Sequence, residues 1–185
     1  MNISQLWPTY MYMETLTDID NEKISEWILN YKENTETRKL TNQGGWQETI
    51  SDYQNGSIFK NFIEAILKIL KVTRLKTEGK KVSITSWANV NEKGNWNFIH
   101  NHTGTDLSGV YYVKVPENSG EIVFFDPRKI DTKHSFFQEE QPQAFGIQPE
   151  EGNLILFPSY LEHMVTPSQS DETRISIAFN VCVDS

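Results

Sequence analysis

The chain has 185 residues, 25 Asp and Glu against 17 Lys and Arg, a net charge of -8 and one cysteine. That length fits one domain with a core of its own, and the acidic balance argues against nucleic-acid partners, whose phosphates call for clustered Lys and Arg. A lone Cys182 forbids an internal disulfide, no apolar run approaches a membrane span, and the first residues lack a basic secretory start, so a cytoplasmic protein with no membrane association is expected.

Leu6 to Met13 is aromatic and reads as a first strand, with Pro8 near its start where a lost ladder donor is tolerated. As an apolar edge it offers a surface for pairing into a homodimer. Asp18 to Asp20 supplies helix-capping oxygens. Ile24, Trp27, Ile28 and Tyr31 follow at helical spacing. Thr35 to Gly45 is polar, ends in Gly-Gly and reads as a loop, with Trp46 anchoring it on the core. Ser57 stands as the cap of a second helix, whose apolar face runs from Ile58 to Leu70. The basic stretch Lys68 to Lys81 reads as the solvated end of that helix and a turn.

From Val82 the period becomes two. Expected strands are Val82–Val90, Trp96–His102, Ser108–Val115, Gly120–Phe125, Ser135–Glu139, Ala144–Ile147, Gly152–Phe157, Glu162–Val165 and Thr173–Val183. Two helices followed by short strands at this spacing predict a mainly β fold with flanking helices: a jelly roll, or cupin-like double-stranded β-helix, with the helices packed on one sheet. Residues 1–185 form a single domain on this reading. Residues 1–80 supply the first strand and helical support, and 81–185 the β core.

Three of the four histidines frame that core: His100 and His102 at one end, His163 at the other. Two histidines spaced two apart on a strand share a face. With a third brought over by the fold they make a set of imidazoles suited to a divalent transition metal. His134 lies in a polar loop and reads as a surface histidine. In the last strand Arg174, Ser176, Ala178 and Asn180 share one face, and Ile175, Ile177, Phe179, Val181 and Val183 the other. The apolar face belongs under the helices and the small polar face inside. Arg174 is then aimed inward, where an anionic ligand would satisfy its fork, with Ser176 adding a hydroxyl donor.

With these residues the chain resembles the Fe(II)/2-oxoglutarate-dependent oxygenases of the prolyl-4-hydroxylase-like branch, and within it an uncharacterised bacterial and phage group. The likeness is carried by Trp96 to His102, Leu107 to Val113, Gly120 to Arg128 and Gly152 to Asn180, with Trp7-Pro8 and Gly44-Gly45-Trp46 fitting too. His163 followed by Arg174-Ile175-Ser176 is its most specific part. The resemblance implies Fe(II), 2-oxoglutarate and O₂ as cofactors. It implies His100, His102 and His163 on the metal, Arg174 and Ser176 on the far carboxylate of 2-oxoglutarate, and Tyr112 as a further hydrogen-bond donor to it. Arg128, Trp96 and Asn180 are candidate substrate contacts; Arg128 could equally pair with Asp126, and Trp96 could be core packing. The expected reaction is hydroxylation of a small-molecule or peptide substrate, with 2-oxoglutarate converted to succinate.

The family motif is His-x-Asp or His-x-Glu, and His102 stands where the carboxylate belongs. A cupin-type alignment through Gly94, His100, His102 and Asp106 makes Asp106 the alternate ligand. The competing function is then a metal-binding or structural jelly roll without 2-oxoglutarate turnover.

Overall fold

The computed structural model describes residues 8–50, 58–73, 75–128 and 143–184. Eleven strands and two helices appear among them. A six-stranded antiparallel sheet has the order β1 (Tyr12–Thr15), β9 (Asn153–Pro158), β6 (Leu107–Lys114), β11 (Arg174–Val183), β4 (Val82–Asn91), β3 (Trp46–Ile50). A five-stranded sheet has the order β2 (Asn42–Gln43), β5 (Trp96–His100), β10 (His163–Val165), β7 (Ile122–Phe125), β8 (Ala144–Ile147). This is the jelly roll the alternating strands predict. No helix among the described residues is long and apolar enough to cross a membrane.

Helix α1 (Asn21–Glu33) starts where expected: the Asp20 side chain accepts from the Lys23 backbone N–H at 3.1 Å, satisfying one orphan donor of the first turn. Helix α2 (Lys60–Leu70) buries Phe62, Ile66 and Leu70; its expected cap, Ser57, lies outside the described residues. Both helices lie on the outer face of the larger sheet. Ile24, Ile28, Phe62 and Ile66 join Ile175, Ile177, Phe179 and Val181 of β11 in one apolar cluster. Each such buried side chain contributes about 1.5–3 kcal/mol, so this layer carries most of the fold's stability. Gly109 makes room for it: a Cβ there would overlap the Phe179 ring and approach Ile155 O to 2.7 Å. A second, smaller cluster, with Val110, Phe124, Ile155 and Phe157, fills the space between the sheets.

Several boundaries differ from the sequence reading. The first strand is Tyr12–Thr15 rather than Leu6 to Met13, of which Leu6 and Trp7 lie outside the described residues. Its ladder runs opposite β9 from Leu156 to Asn153, and that short partner sets where pairing can occur. The expected loop at Thr35 to Gly45 contains β2, and β3 follows directly. Trp46 opens β3, is buried, and meets the Tyr31 ring edge-on at 5.7 Å, so it does anchor this segment on α1. Gly44 and Gly45, both with positive φ, let the chain cross from the smaller sheet to the larger. The expected strand Ser135–Glu139 and His134 lie outside the described residues.

Candidate metal and anion site

The two sheets enclose a cavity of about 390 Å³. The smaller sheet brings two histidines to it. His163 of β10 is paired directly with His100 of β5, and side chains opposite each other in an antiparallel pair are close neighbours on one face; their ring centroids are 4.4 Å apart. His102 arrives differently from the expected alternation. Strand β5 ends at His100, and a register shift there leaves both Asn97 and His100, three residues apart, lining the cavity. His102 lies beyond the strand and is held by its backbone N–H, which donates to Ser159 O at 2.9 Å. A run of hydroxyls fixes this corner: Thr105 to Ser159 at 2.8 Å, Ser159 to Ser108 at 2.8 Å, and Ser108 to Asn180 Oδ1 at 2.8 Å. Each hydroxyl has one proton: that of Ser108 goes to the Asn180 oxygen, so Ser159 donates to Ser108, while that of Thr105 is shared between Ser159 Oγ and His102 O, 3.1 Å away.

One nitrogen from each of His100, His102 and His163 lies within 4.8 Å of the others. The Nδ1 of His100 is 2.6 Å from Phe98 O, and that of His163 is 3.0 Å from Leu161 O. An Nδ1–H donated to those carbonyls leaves each Nε2 lone pair free, the arrangement a metal ligand needs. Burial lowers all three pKa values, to about 3 for His163 and about 4 for His102, with the neighbouring imidazoles adding to the effect on both. The rings are therefore neutral at pH 7 and able to donate electron pairs to a cation. This donor set fits a divalent transition metal.

The larger sheet supplies the opposite wall. Arg174 is only 3 % exposed. Its Nη1 donates to Ser119 O at 2.9 Å, while its Nε has no hydrogen-bond partner. No carboxylate pairs with it among the described residues. Gly120 makes this burial feasible: its φ is +89°, and a Cβ there would meet Thr166 O at 2.5 Å and stand 3.4 Å from Arg174 Nη1. Ser176 and Tyr112 are paired across β11 and β6 on the same inner face. Burial pushes the Tyr112 hydroxyl up to about 12, and the Arg174 cation works against that rise, so Tyr112 stays a neutral donor beside the guanidinium. A buried cation lacking an anion is costly. Burial lowers the Arg174 pKa, yet a guanidinium does not give up its proton in proteins.

The remaining expected site residues divide. Asn180 lines the cavity, but its amide oxygen is committed to Ser108. Trp96 is half-buried, packs edge-on against Phe98 at 4.4 Å and is not part of the cavity wall. Arg128 is exposed and forks onto Asp126, with Nη2 to Oδ2 at 2.6 Å and Nε to Oδ1 at 2.9 Å, also away from the wall. Asp106 stands outside the histidine group; its Oδ2 accepts from the Val183 backbone N–H at 2.8 Å, tying the turn to the end of β11. Sequence reasoning missed Arg38, Gln47, Thr49, Trp87 and Asn89, all of which line the cavity. Signals existed: Trp46 and Ile50 on one side of a five-residue run put Gln47 and Thr49 on the other, and the Val82–Val90 alternation already paired Trp87 with Asn89.

Comparisons with known proteins agree with this architecture. The Pseudomonas putida prolyl-4-hydroxylase is 15 % identical with a TM-score of 0.70, over 96 % of this chain and 94 % of that one. A Trichoplax adhaerens prolyl hydroxylase, solved with a hypoxia inducible factor oxygen degradation domain peptide, is 15 % identical with a TM-score of 0.68, over 93 % and 83 %. HygX from Streptomyces hygroscopicus, solved with nickel and 2-oxoglutarate bound, is 9 % identical with a TM-score of 0.66, over 94 % and 83 %. At these identities the likeness is one of fold. No curated protein sequence matches the chain. A family profile described as "Putative 2OG-Fe(II) oxygenase" matches residues 85–180, a stretch that holds all three histidines, Arg174 and more than half of the chain, and the chain belongs to that 2OG-Fe(II) oxygenase family.

Proposed function

We propose that the protein is an Fe(II)- and 2-oxoglutarate-dependent dioxygenase that hydroxylates a small-molecule or peptide substrate. His100, His102 and His163 would hold the iron, and Arg174 would receive the distal carboxylate of 2-oxoglutarate with Ser176 and Tyr112 as hydroxyl donors. The observation that carries this reading is the Arg174 guanidinium: buried, with an orphan Nε and no carboxylate partner among the described residues, in the same cavity as three neutral imidazoles. A small diacid answers that vacancy in charge, because a carboxylate accepts both prongs of the fork.

When bound, iron with 2-oxoglutarate and O₂ supplies oxidative decarboxylation to succinate and CO₂ coupled to hydroxylation of a C–H bond. The chain's own part is positional. The carbonyls of Phe98 and Leu161 fix two imidazoles by their Nδ1–H groups, and the hydroxyl run from Thr105 to Asn180 fixes the corner holding His102. Phe124 and Phe157 pack against His163 at 5.8 and 4.8 Å and keep water from that side. Succinate formation from 2-oxoglutarate under Fe(II) and O₂ is expected in the wild type and lost in His163→Ala. A protein that binds neither iron nor 2-oxoglutarate would refute the reading.

The absence of a carboxylate from the ligand group among the described residues favours one second reading, a metal-binding jelly roll that does not turn over 2-oxoglutarate. Binding of N-oxalylglycine, a 2-oxoglutarate mimic, that depends on Arg174 but is accompanied by no succinate would select it.

A further inference from the structure

The cavity departs in charge from the rest of the molecule. The chain carries 25 Asp and Glu, yet no carboxylate lines the cavity among the described residues, and its two charged lining groups are Arg174 and Arg38. Arg38 belongs to the loop between α1 and β2. Its backbone N–H donates to Gln47 O at 2.8 Å, and the Nη1 of this exposed side chain donates to Thr49 Oγ1 at 2.7 Å, which tethers the guanidinium to β3 by one hydrogen bond and leaves its other donors for a ligand. No carboxylate pairs with it among the described residues.

Register locates Arg38 relative to the histidines. Thr49 is paired with Trp87 across β3 and β4, and the Trp87 ring is 5.6 Å from that of His102. Arg174 occupies another part of the wall. It is paired with Asn91, four residues along β4 from Trp87, and β11 lies two strands from β3. Those steps separate the Arg174 backbone from that of Thr49 by roughly 10 Å across the sheet and roughly 13 Å along it. The guanidiniums are anchored apart as well, one on Ser119 O and the other on Thr49 Oγ1. One small diacid at Arg174 leaves Arg38 for a different anion.

We propose that Arg38 receives an oxyanion of the primary substrate, a carboxylate or a phosphate on a small molecule, whose uncharged body lies against the carboxamides of Gln47, Asn89 and Asn97 in the same cavity. The assignment rests on the oxygenase reading for what occupies the Arg174 end. It names a substrate class: anionic, rich in hydrogen-bonding groups, and disfavoured if cationic by a cavity with no acid among the described residues to meet it.

The test uses the full chain loaded with Mn(II) and N-oxalylglycine, titrated calorimetrically with matched pairs: N-acetyl amino acids against their amides, and N-acetyl-phosphoserine amide against N-acetylserine amide. At least one anionic member is expected to bind, with its neutral partner roughly tenfold or more weaker. Arg38→Gln is expected to abolish that preference and Arg38→Lys to retain part of it. The responding arm distinguishes carboxylate from phosphate. Binding by no anionic member, equal binding of the neutral ones, or an unchanged preference in R38Q overturns the proposal. N-oxalylglycine binding is the separate gauge: its failure removes the oxygenase reading, while its success beside an unchanged R38Q preference removes only the substrate class.

Discussion

Strand β11 presents two surfaces built to opposite ends. Toward the helices it sets Ile175, Ile177, Phe179 and Val181, all fully buried. Toward the cavity it sets Arg174, Ser176, Ala178 and Asn180. The first surface lowers the free energy of the fold; the second raises it, because a buried guanidinium without an anion is a debt the apolar side must cover. A strand that alternates so sharply separates a stabilising face from a cavity-lining one at single-residue resolution, and substitutions on its two sides should therefore fail in different ways.

The largest effect is expected on the helix side. Phe179→Ala removes a ring that packs edge-on against Phe62 at 5.7 Å and should cost about 3–5 kcal/mol in denaturant unfolding. Metal binding per folded molecule should survive, since no ring contact joins Phe179 to a histidine among the described residues. Gly109→Ala probes the same contact by crowding, because its new Cβ would enter the space of the Phe179 ring. A loss of about 1–3 kcal/mol is expected, and the double variant G109A/F179A should be less destabilised than the sum of the singles, which a double-mutant cycle measures.

This division of β11 was legible from the sequence because a strand with one apolar and one polar face announces its period. So was α1, whose stripe from Ile24 to Tyr31 and cap at Asp20 agree. The histidine cluster was legible in its members but not in its cause. Even alternation from Trp96 to His102 would have put Trp96 and His100 on one face, whereas the register shift in β5 sends Asn97 and His100 inward and leaves Trp96 against Phe98. A bulge depends on the partner strand, which the local sequence does not display. Arg38 was hidden for a related reason: it sits in a polar stretch without period, and only the pairing of β3 with β4 brings Thr49, and with it Arg38, to the cavity.

A smaller effect is expected on the cavity side. Arg174→Met exchanges a buried cation with an orphan Nε for an apolar chain of similar reach. Ligand-free stability should stay within about 1 kcal/mol of wild type or rise, while the thermal shift given by N-oxalylglycine should vanish. A loss above about 3 kcal/mol in the ligand-free protein would make Arg174 a structural pillar and erase the contrast between the two faces.

The finest test concerns the charge of the proposed metal site. Three neutral imidazoles leave a divalent ion's full charge uncompensated, whereas a carboxylate at position 102 would cancel one unit of it. His102→Asp should therefore weaken 2-oxoglutarate binding at fixed Mn(II) several-fold, an effect of about 1 kcal/mol for one partly screened charge. The metal itself should be held more tightly, since the new ligand is anionic. The two shifts have opposite signs, so isothermal titration of metal and then of 2-oxoglutarate separates them from general damage to the fold, which would weaken both. If 2-oxoglutarate binds H102D as tightly as wild type, the ligand does not sense the metal's charge. Arg174 would then anchor an anion that stops short of the histidines, and the two walls of the cavity would serve separate ligands.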